Sequence, residues 1–126
     1  MKLLIDTHAF IWVTTNTALL SVRAASLLAD LTNEIYVSSV SAYEIENKRS
    51  RDLELQRMPF DLNVSVAQMG FQWLPVTWEH AREAGRLPLH HRDPWDRILI
   101  AQALVEDARL VSIDRQFAAY TIPIEW

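Results

Sequence analysis

Four short apolar segments punctuate the chain: 2–6 (KLLID), 34–39 (EIYVSS), 71–76 (FQWLPV) and 109–113 (RLVSI). They constrain the fold more than any other feature. Each is too short to be a buried helix, and three of the four are rich in the branched residues that fill strands covered on both faces. The intervening stretches 7–15, 19–31, 41–50, 60–69, 78–85 and 94–107 read as helices. Parallel strands need helical crossovers, so strands alternating with helices predict an α/β domain. The expected core is a mostly parallel central sheet of four to five strands with helices on both faces. The 126 residues contain no repeat, low-complexity stretch or linker, which predicts one domain over 1–126.

Local signals place the boundaries. Asp6 or Thr7 suits the N-cap of the first helix. Leu20, Leu27, Leu28 and Leu31 recur at helical spacing in the second. Ser41 and Glu44 match the S-x-x-E capping box. Gly70 and Gly85 read as helix stops, and Pro75 as an edge or end of its strand. Asp93-Pro94 reads as an N-cap followed by a first helical position. Residues 51–59 read as a loop, 114–120 as a turn, and TIPIEW as a short apolar tail.

Carboxylates stand where the strands give way to turns and helices. Asp6 ends the first strand and Asp114 the last; Glu44 and Asp96 read as first-turn residues of helices. Each also has a local use. Asp6 serves as a cap, and Glu44 as half of the capping box or as partner of Lys48 at i+4. Asp96 suits a helix dipole, and Asp114 a turn. Asp93 is read as the cap and Glu46 as a solvated charge. In an open α/β sheet, however, the carboxyl ends of the strands share one crevice. Acids gathered there repel one another and favour a hard divalent cation such as Mg²⁺ or Mn²⁺. Thr7 and Ser112 add hydroxyls. Ser112 and Asp114 fall on one side of their strand by the period of two. The four histidines form no zinc pattern, and surface or loop hydrogen bonding is expected of them.

Composition removes other classes. With no cysteine, disulfides, thiolate zinc sites and Cys nucleophiles are ruled out. Asp6 interrupts MKLLID too early for a signal-peptide core, and no apolar run approaches a membrane span, so a cytoplasmic protein is expected. The net charge of −4 argues against a general polyanion binder. Setting aside the four candidate acids leaves 12 acidic residues against 12 basic ones, so a nucleic-acid substrate stays open.

The segments LLIDTHAFIW, SAYEIENK, GFQWLPVTWEHA, LPLHHRDPWDRILIAQA and LVSIDRQFAAY together resemble the PIN-domain ribonucleases, and among them the VapC-type toxins of type II toxin–antitoxin pairs. The resemblance runs over essentially the whole chain. It implies a Mg²⁺- or Mn²⁺-dependent endoribonuclease. Its catalytic and metal site would be Asp6, Glu44, Asp96 and Asp114, with Thr7 assisting. Asp6 and Asp96 would be the chief ligands, with Glu44 and Asp114 completing the site partly through water, for one or two ions. Ser112 replaces the threonine frequent at that position in the family. Lys48, Arg92, Arg97 and Ser112 are candidate substrate contacts. Implied partners are RNA, a VapB-type antitoxin and a second copy of the chain, with Phe10, Trp12 and the 18–31 helix as apolar contacts. Trp12, Trp73 and Trp95 are read mainly as packing residues.

Three alternative readings compete with this one. A haloacid-dehalogenase-like phosphatase requires a second Asp where this chain has His8. A receiver-like signalling domain requires a strand-end lysine, which the last strand lacks. A PIN-fold nuclease acting in RNA processing or on DNA is not separated from a toxin by sequence.

Overall fold

The computed structural model describes residues 1–126. Five strands form one sheet, every neighbouring pair parallel: β1 (Lys2–Ile5), β2 (Glu34–Ser38), β3 (Gln72–Leu74), β4 (Arg109–Val111) and β5 (Ile124–Glu125), in the order β3-β2-β1-β4-β5. Seven α-helices accompany them: α1 (Thr7–Thr15), α2 (Val22–Ala29), α3 (Ser39–Lys48), α4 (Leu53–Gln56), α5 (Leu62–Gln68), α6 (Trp78–Arg86) and α7 (Pro94–Val105). The α/β architecture read from the alternation is thus present.

The alternation of side chains along β1 builds two cores. Leu3 and Ile5 face one layer with Phe10, Leu27, Ile45, Val66 and Val111. Leu4 faces the other with Leu99, Ile100, Ala103, Leu110 and Phe117. Both sheet faces are therefore covered, as a parallel sheet requires. The strand order reverses at β1. β2 lies on one side (Leu3 opposite Ile35) and β4 on the other (Leu3 opposite Arg109), which opens a crevice beyond the ends of β1 and β4.

Several local expectations change. The S-x-x-E capping box is absent: α3 begins at Ser39, capped by Ser38, so Glu44 lies in mid-helix rather than in the first turn. Ser41 is buried inside that helix instead. Leu31 lies beyond α2 and is 96% exposed. Gly85 does not stop α6, which runs to Arg86; Gly70 does follow α5, at φ +72°. The 51–59 loop contains α4. The apolar tail supplies β5, tied in by Leu110 N–H to Pro123 C=O (3.0 Å) and Ser112 N–H to Glu125 C=O (3.1 Å). Glu125 also pairs with Arg23 (2.8 Å) and Arg109 (3.0 Å), which hold its carboxyl below the usual range.

Candidate metal centre

One cleft of about 150 Å³ is lined by Asp6, Thr7, His8, Glu44, Lys48, Asp93, Asp96, Ile113, Asp114 and Phe117. The four acids singled out from the sequence therefore meet, although they come from four separate segments. Asp6 follows β1, Glu44 projects from α3, Asp96 lies in the first turn of α7, and Asp114 follows β4. The reversal of strand order explains the convergence. It leaves the β1 and β4 exits side by side, where Asp6 N–H donates to Val111 C=O at 3.1 Å.

Of the four acids, Asp6, Asp114 and Glu44 are each fixed by particular bonds. Asp6 is 5% exposed; its Oδ1 accepts from Ala9 N–H at 2.8 Å, capping α1, and its Oδ2 accepts from the Ser112 hydroxyl. Ser112 Oγ in turn accepts from Asp114 N–H at 3.0 Å. Asp114 Oδ1 caps the 3-10 turn 115–119 through Gln116 N–H at 2.9 Å. Glu44 Oε1 accepts from Thr7 Oγ1 at 2.8 Å, and Ser41 Oγ lies 2.9 Å from the same Thr7 hydroxyl. Thr7 has one hydroxyl proton and gives it to Glu44, so Ser41 donates to Thr7. Asp93 caps α7 through Trp95 N–H (2.9 Å) and Asp96 N–H (3.4 Å), the role expected of it.

The electrostatics of the cleft are unfavourable to its own charges. Burial pushes the Asp6 carboxyl up; its bonds from Ser112 and Ala9 and the nearby His8 oppose this, and Asp114 adds to it. Asp96 is pushed up to about 7, first by burial and then by Asp93, with smaller pushes from Glu44 and Asp114 and an opposing pull from His91. Acids crowded enough to hold a proton near neutrality gain most from a cation. The donor set is almost entirely carboxylate oxygen, which suits Mg²⁺ or Mn²⁺. The residues present thus fit a hard divalent ion.

Two candidate substrate contacts are placed elsewhere by the structure. Both Nη atoms of Arg97 are engaged, Nη1 with Pro88 C=O (2.9 Å) and His91 C=O (3.3 Å), Nη2 with Ala84 C=O (2.9 Å) and Leu87 C=O (2.8 Å). Arg97 therefore pins the 84–91 segment rather than facing a substrate. Ser112 is buried and bound to Asp6. Lys48 does face the cleft, 3.8 Å from Glu44 Oε2, and Arg92 is exposed nearby. A smaller cavity of about 80 Å³ shares Thr7, His8, Glu44 and Lys48 with the cleft and continues to Asp52 and Glu54. Of the apolar contacts expected for partners, Phe10 is fully buried and Trp12 half-buried, while Leu19 and Val22 are exposed.

Of the histidines, from which surface or loop hydrogen bonding is expected, two are buried, His80 in a helix and His91 in a loop. His80 is fully buried, completes a capping box with Thr77 and lies 3.0 Å from Glu106 Oε2. His91, 8% exposed, has Nε2 3.1 Å from Asp96 Oδ2 and 3.5 Å from Asp114 Oδ2. Spacing along the sequence concealed it, because His91 reaches Asp114 across 23 residues. Its place in HHRDPWD, a short loop that leads directly into Asp96, was the available signal.

A family model of the PIN domain matches residues 3–122. Among curated proteins no relative matches the chain. Solved structures similar to it include VapBC2 from Rickettsia felis bound to a DNA fragment from their promoter (17% identity, 99% of this chain and 98% of that one, TM-score 0.75). Another is DNA-bound VapBC from Salmonella typhimurium (18%, 99% and 97%, TM-score 0.73). A third is FitAcB from Neisseria gonorrhoeae (16%, 97% and 95%, TM-score 0.72). At these identities the likeness is one of fold. No helix of the chain is long and apolar enough to cross a membrane.

Proposed function

Since the chain belongs to the PIN-domain family, we propose that it is a Mg²⁺- or Mn²⁺-dependent endoribonuclease, the toxin of a type II toxin–antitoxin pair. The observation that carries this reading is the convergence of Asp6, Glu44, Asp96 and Asp114 on one cleft, with Asp96 pushed up to about 7.

Asp6 and Asp96 are the chief ligands in this reading, and Glu44 and Asp114 complete the set. A bound divalent ion supplies acidification of water and neutralisation of phosphate charge. The chain's own groups do the rest. Ser112 and Ala9 N–H fix the two oxygens of Asp6. Thr7 holds Glu44, which is placed to orient or accept a proton from the attacking water. Lys48, which lines the cleft, and Arg92, exposed one residue before the cleft-lining Asp93, are the cations proposed to meet the phosphates flanking the scissile bond. Four carboxylates accommodate one ion or two.

The partners proposed are RNA as substrate, a VapB-type antitoxin and a second copy of the chain, in the cytoplasm. Support for the antitoxin comes from similar structures, which are VapBC complexes from two organisms and FitAcB from a third.

The test is cleavage of single-stranded RNA and of DNA by the purified chain with Mg²⁺. Wild type is expected to cut RNA, and Asp6→Asn, or wild type in excess chelator, to leave it intact while staying folded. Full activity in either case refutes the metal site, and cleavage confined to DNA refutes the substrate. Induction in cells is expected to arrest growth, and co-expression of a cognate antitoxin to relieve it.

A further inference from the structure

His91 is held against the carboxylates from several sides. Its ring stacks on Phe117 with centroids 5.6 Å apart and planes at 27°. Its backbone N–H donates to Tyr120 Oη at 2.9 Å, and Tyr120 donates to Pro88 C=O at 2.8 Å. Arg97 grips the His91 carbonyl. The backbone N–H of Asp93 lies 3.3 Å from Nδ1. An amide N–H can only donate, so Nδ1 is an acceptor and the neutral ring carries its proton on Nε2. That Nε2 faces Oδ2 of both Asp96 and Asp114. A ring nitrogen that bears a proton is not a metal ligand. His91, Asp96 and Asp114 lie close enough to suggest a three-ligand centre; the fixed tautomer argues against it.

We infer that His91 is a positioning residue of the metal centre: its Nε2–H donates to Oδ2 of Asp114, and its ring edge sits 3.1 Å from Oδ2 of Asp96, so that the two carboxylates are kept in register for the ion. The inference rests on the proposed metal site and deepens it. The chain of contacts runs from the backbone at Asp93 through the imidazole to two acids on different segments, α7 and the β4 exit. Asp96 thereby gains a close electrostatic contact beyond its own helix. Groups that orient ligands in this way are worth about 10–100-fold in metal affinity.

The experiment compares Mn²⁺ binding to RNA-free wild type, His91→Gln, His91→Asn and Asp96→Asn by electron paramagnetic resonance, with Co²⁺ and Ni²⁺ titrated in parallel. A glutamine amide nitrogen falls near the place of Nε2, an asparagine amide nitrogen near that of Nδ1. His91→Asn is expected to bind every ion about 10–100-fold more weakly, and His91→Gln to stay within about threefold of wild type. An Asn variant that binds like wild type, or a Gln variant as weak as Asn, overturns the inference. So does a loss confined to Co²⁺ and Ni²⁺, which would make His91 a ligand. Imidazole ¹⁵N shifts of the wild type give a second measurement that needs no variant: the proton is expected to stay on Nε2 through Mg²⁺ saturation, and its loss overturns the inference. An Asp96→Asn protein that binds Mn²⁺ as wild type does overturns the site itself, a failure separate from that of His91.

Discussion

Asp96→Asn is expected to stabilise the metal-free protein while destroying its metal site. The folded Asp96 titrates at about 7 against 3.8 for the ordinary carboxyl. Between those values the folded protein holds a proton that the unfolded chain has released. Its stability therefore falls as pH rises through that window, is unaffected by Asp96 below about 4, and reaches its full deficit above about 7. At about 1.4 kcal/mol per pH unit, the deficit is at most about 4 kcal/mol. The side chain is 25% exposed, and water screening reduces the figure to about 2 kcal/mol. Asparagine resembles the protonated acid and carries no such deficit. In chelator at pH 8, Asp96→Asn is thus expected to melt about 6–8 °C above wild type. At pH 4 the two midpoints should coincide. Mg²⁺ at about 100 times its dissociation constant should raise wild type by about 2.7 kcal/mol and leave the variant unmoved. Differential scanning calorimetry over pH 4–8, with and without Mg²⁺, reads all of this. A gap that does not change with pH, or a variant less stable than wild type at pH 8, would refute the picture of a carboxylate held in place against its own charge.

Three further outcomes are expected. Arg97→Ala should lower stability by about 3 kcal/mol in urea unfolding, because four carbonyls lose a charged donor; Arg97→Lys should not restore it, since an ammonium lacks the planar fork. Thr7→Val should leave the fold intact and slow metal-dependent cleavage by about 10-fold, with Thr7→Ser active, because Glu44 loses its donor; an active Val variant would remove Thr7 from the site. Lys48→Ala in an Asp6→Asn background should lower the slope of log affinity for single-stranded RNA against log salt by about 0.7, the share of one phosphate contact. An unchanged slope would place Lys48 outside the substrate path.

The fold was legible wherever a segment buries itself in one rhythm. β1, β2 and β4 are continuous apolar runs, and the Asp93-Pro94 pair marks the start of α7. β5 was hidden because two residues after Pro123 carry no periodicity; its pairing comes from β4, an already placed neighbour. Ser41 misled for a similar reason. The S-x-x-E pattern is a local rule, but Ser38 caps one turn earlier, and Ser41 is drawn inward to Thr7 by a contact 34 residues away. For His91 the sequence offered only its closeness to Asp96, and for Arg97 no local signal, since their partners are Asp114, 23 residues on, and the carbonyls of 84–91.

Cap and ligand first look like rival explanations for an acid at the end of a strand. Here both apply to the same residue. Asp6 spends Oδ1 on Ala9 N–H, which fixes the carboxylate plane and turns Oδ2 toward Ser112. Asp114 spends Oδ1 on Gln116 N–H, leaving Oδ2 toward His91. A capped carboxylate is oriented by backbone that the fold has already ordered, so little further side-chain entropy is lost in placing it. Asp96 has no cap of its own to perform: Asp93 takes the amides of α7, including that of Asp96 itself. Burial, and then the charge of Asp93 beside it, push the Asp96 carboxyl up to about 7, with no backbone bond to that carboxyl to offset them. A carboxyl freed from capping at a helix start that faces crowded strand ends is therefore a sharper signature of a metal centre than the count of acids alone.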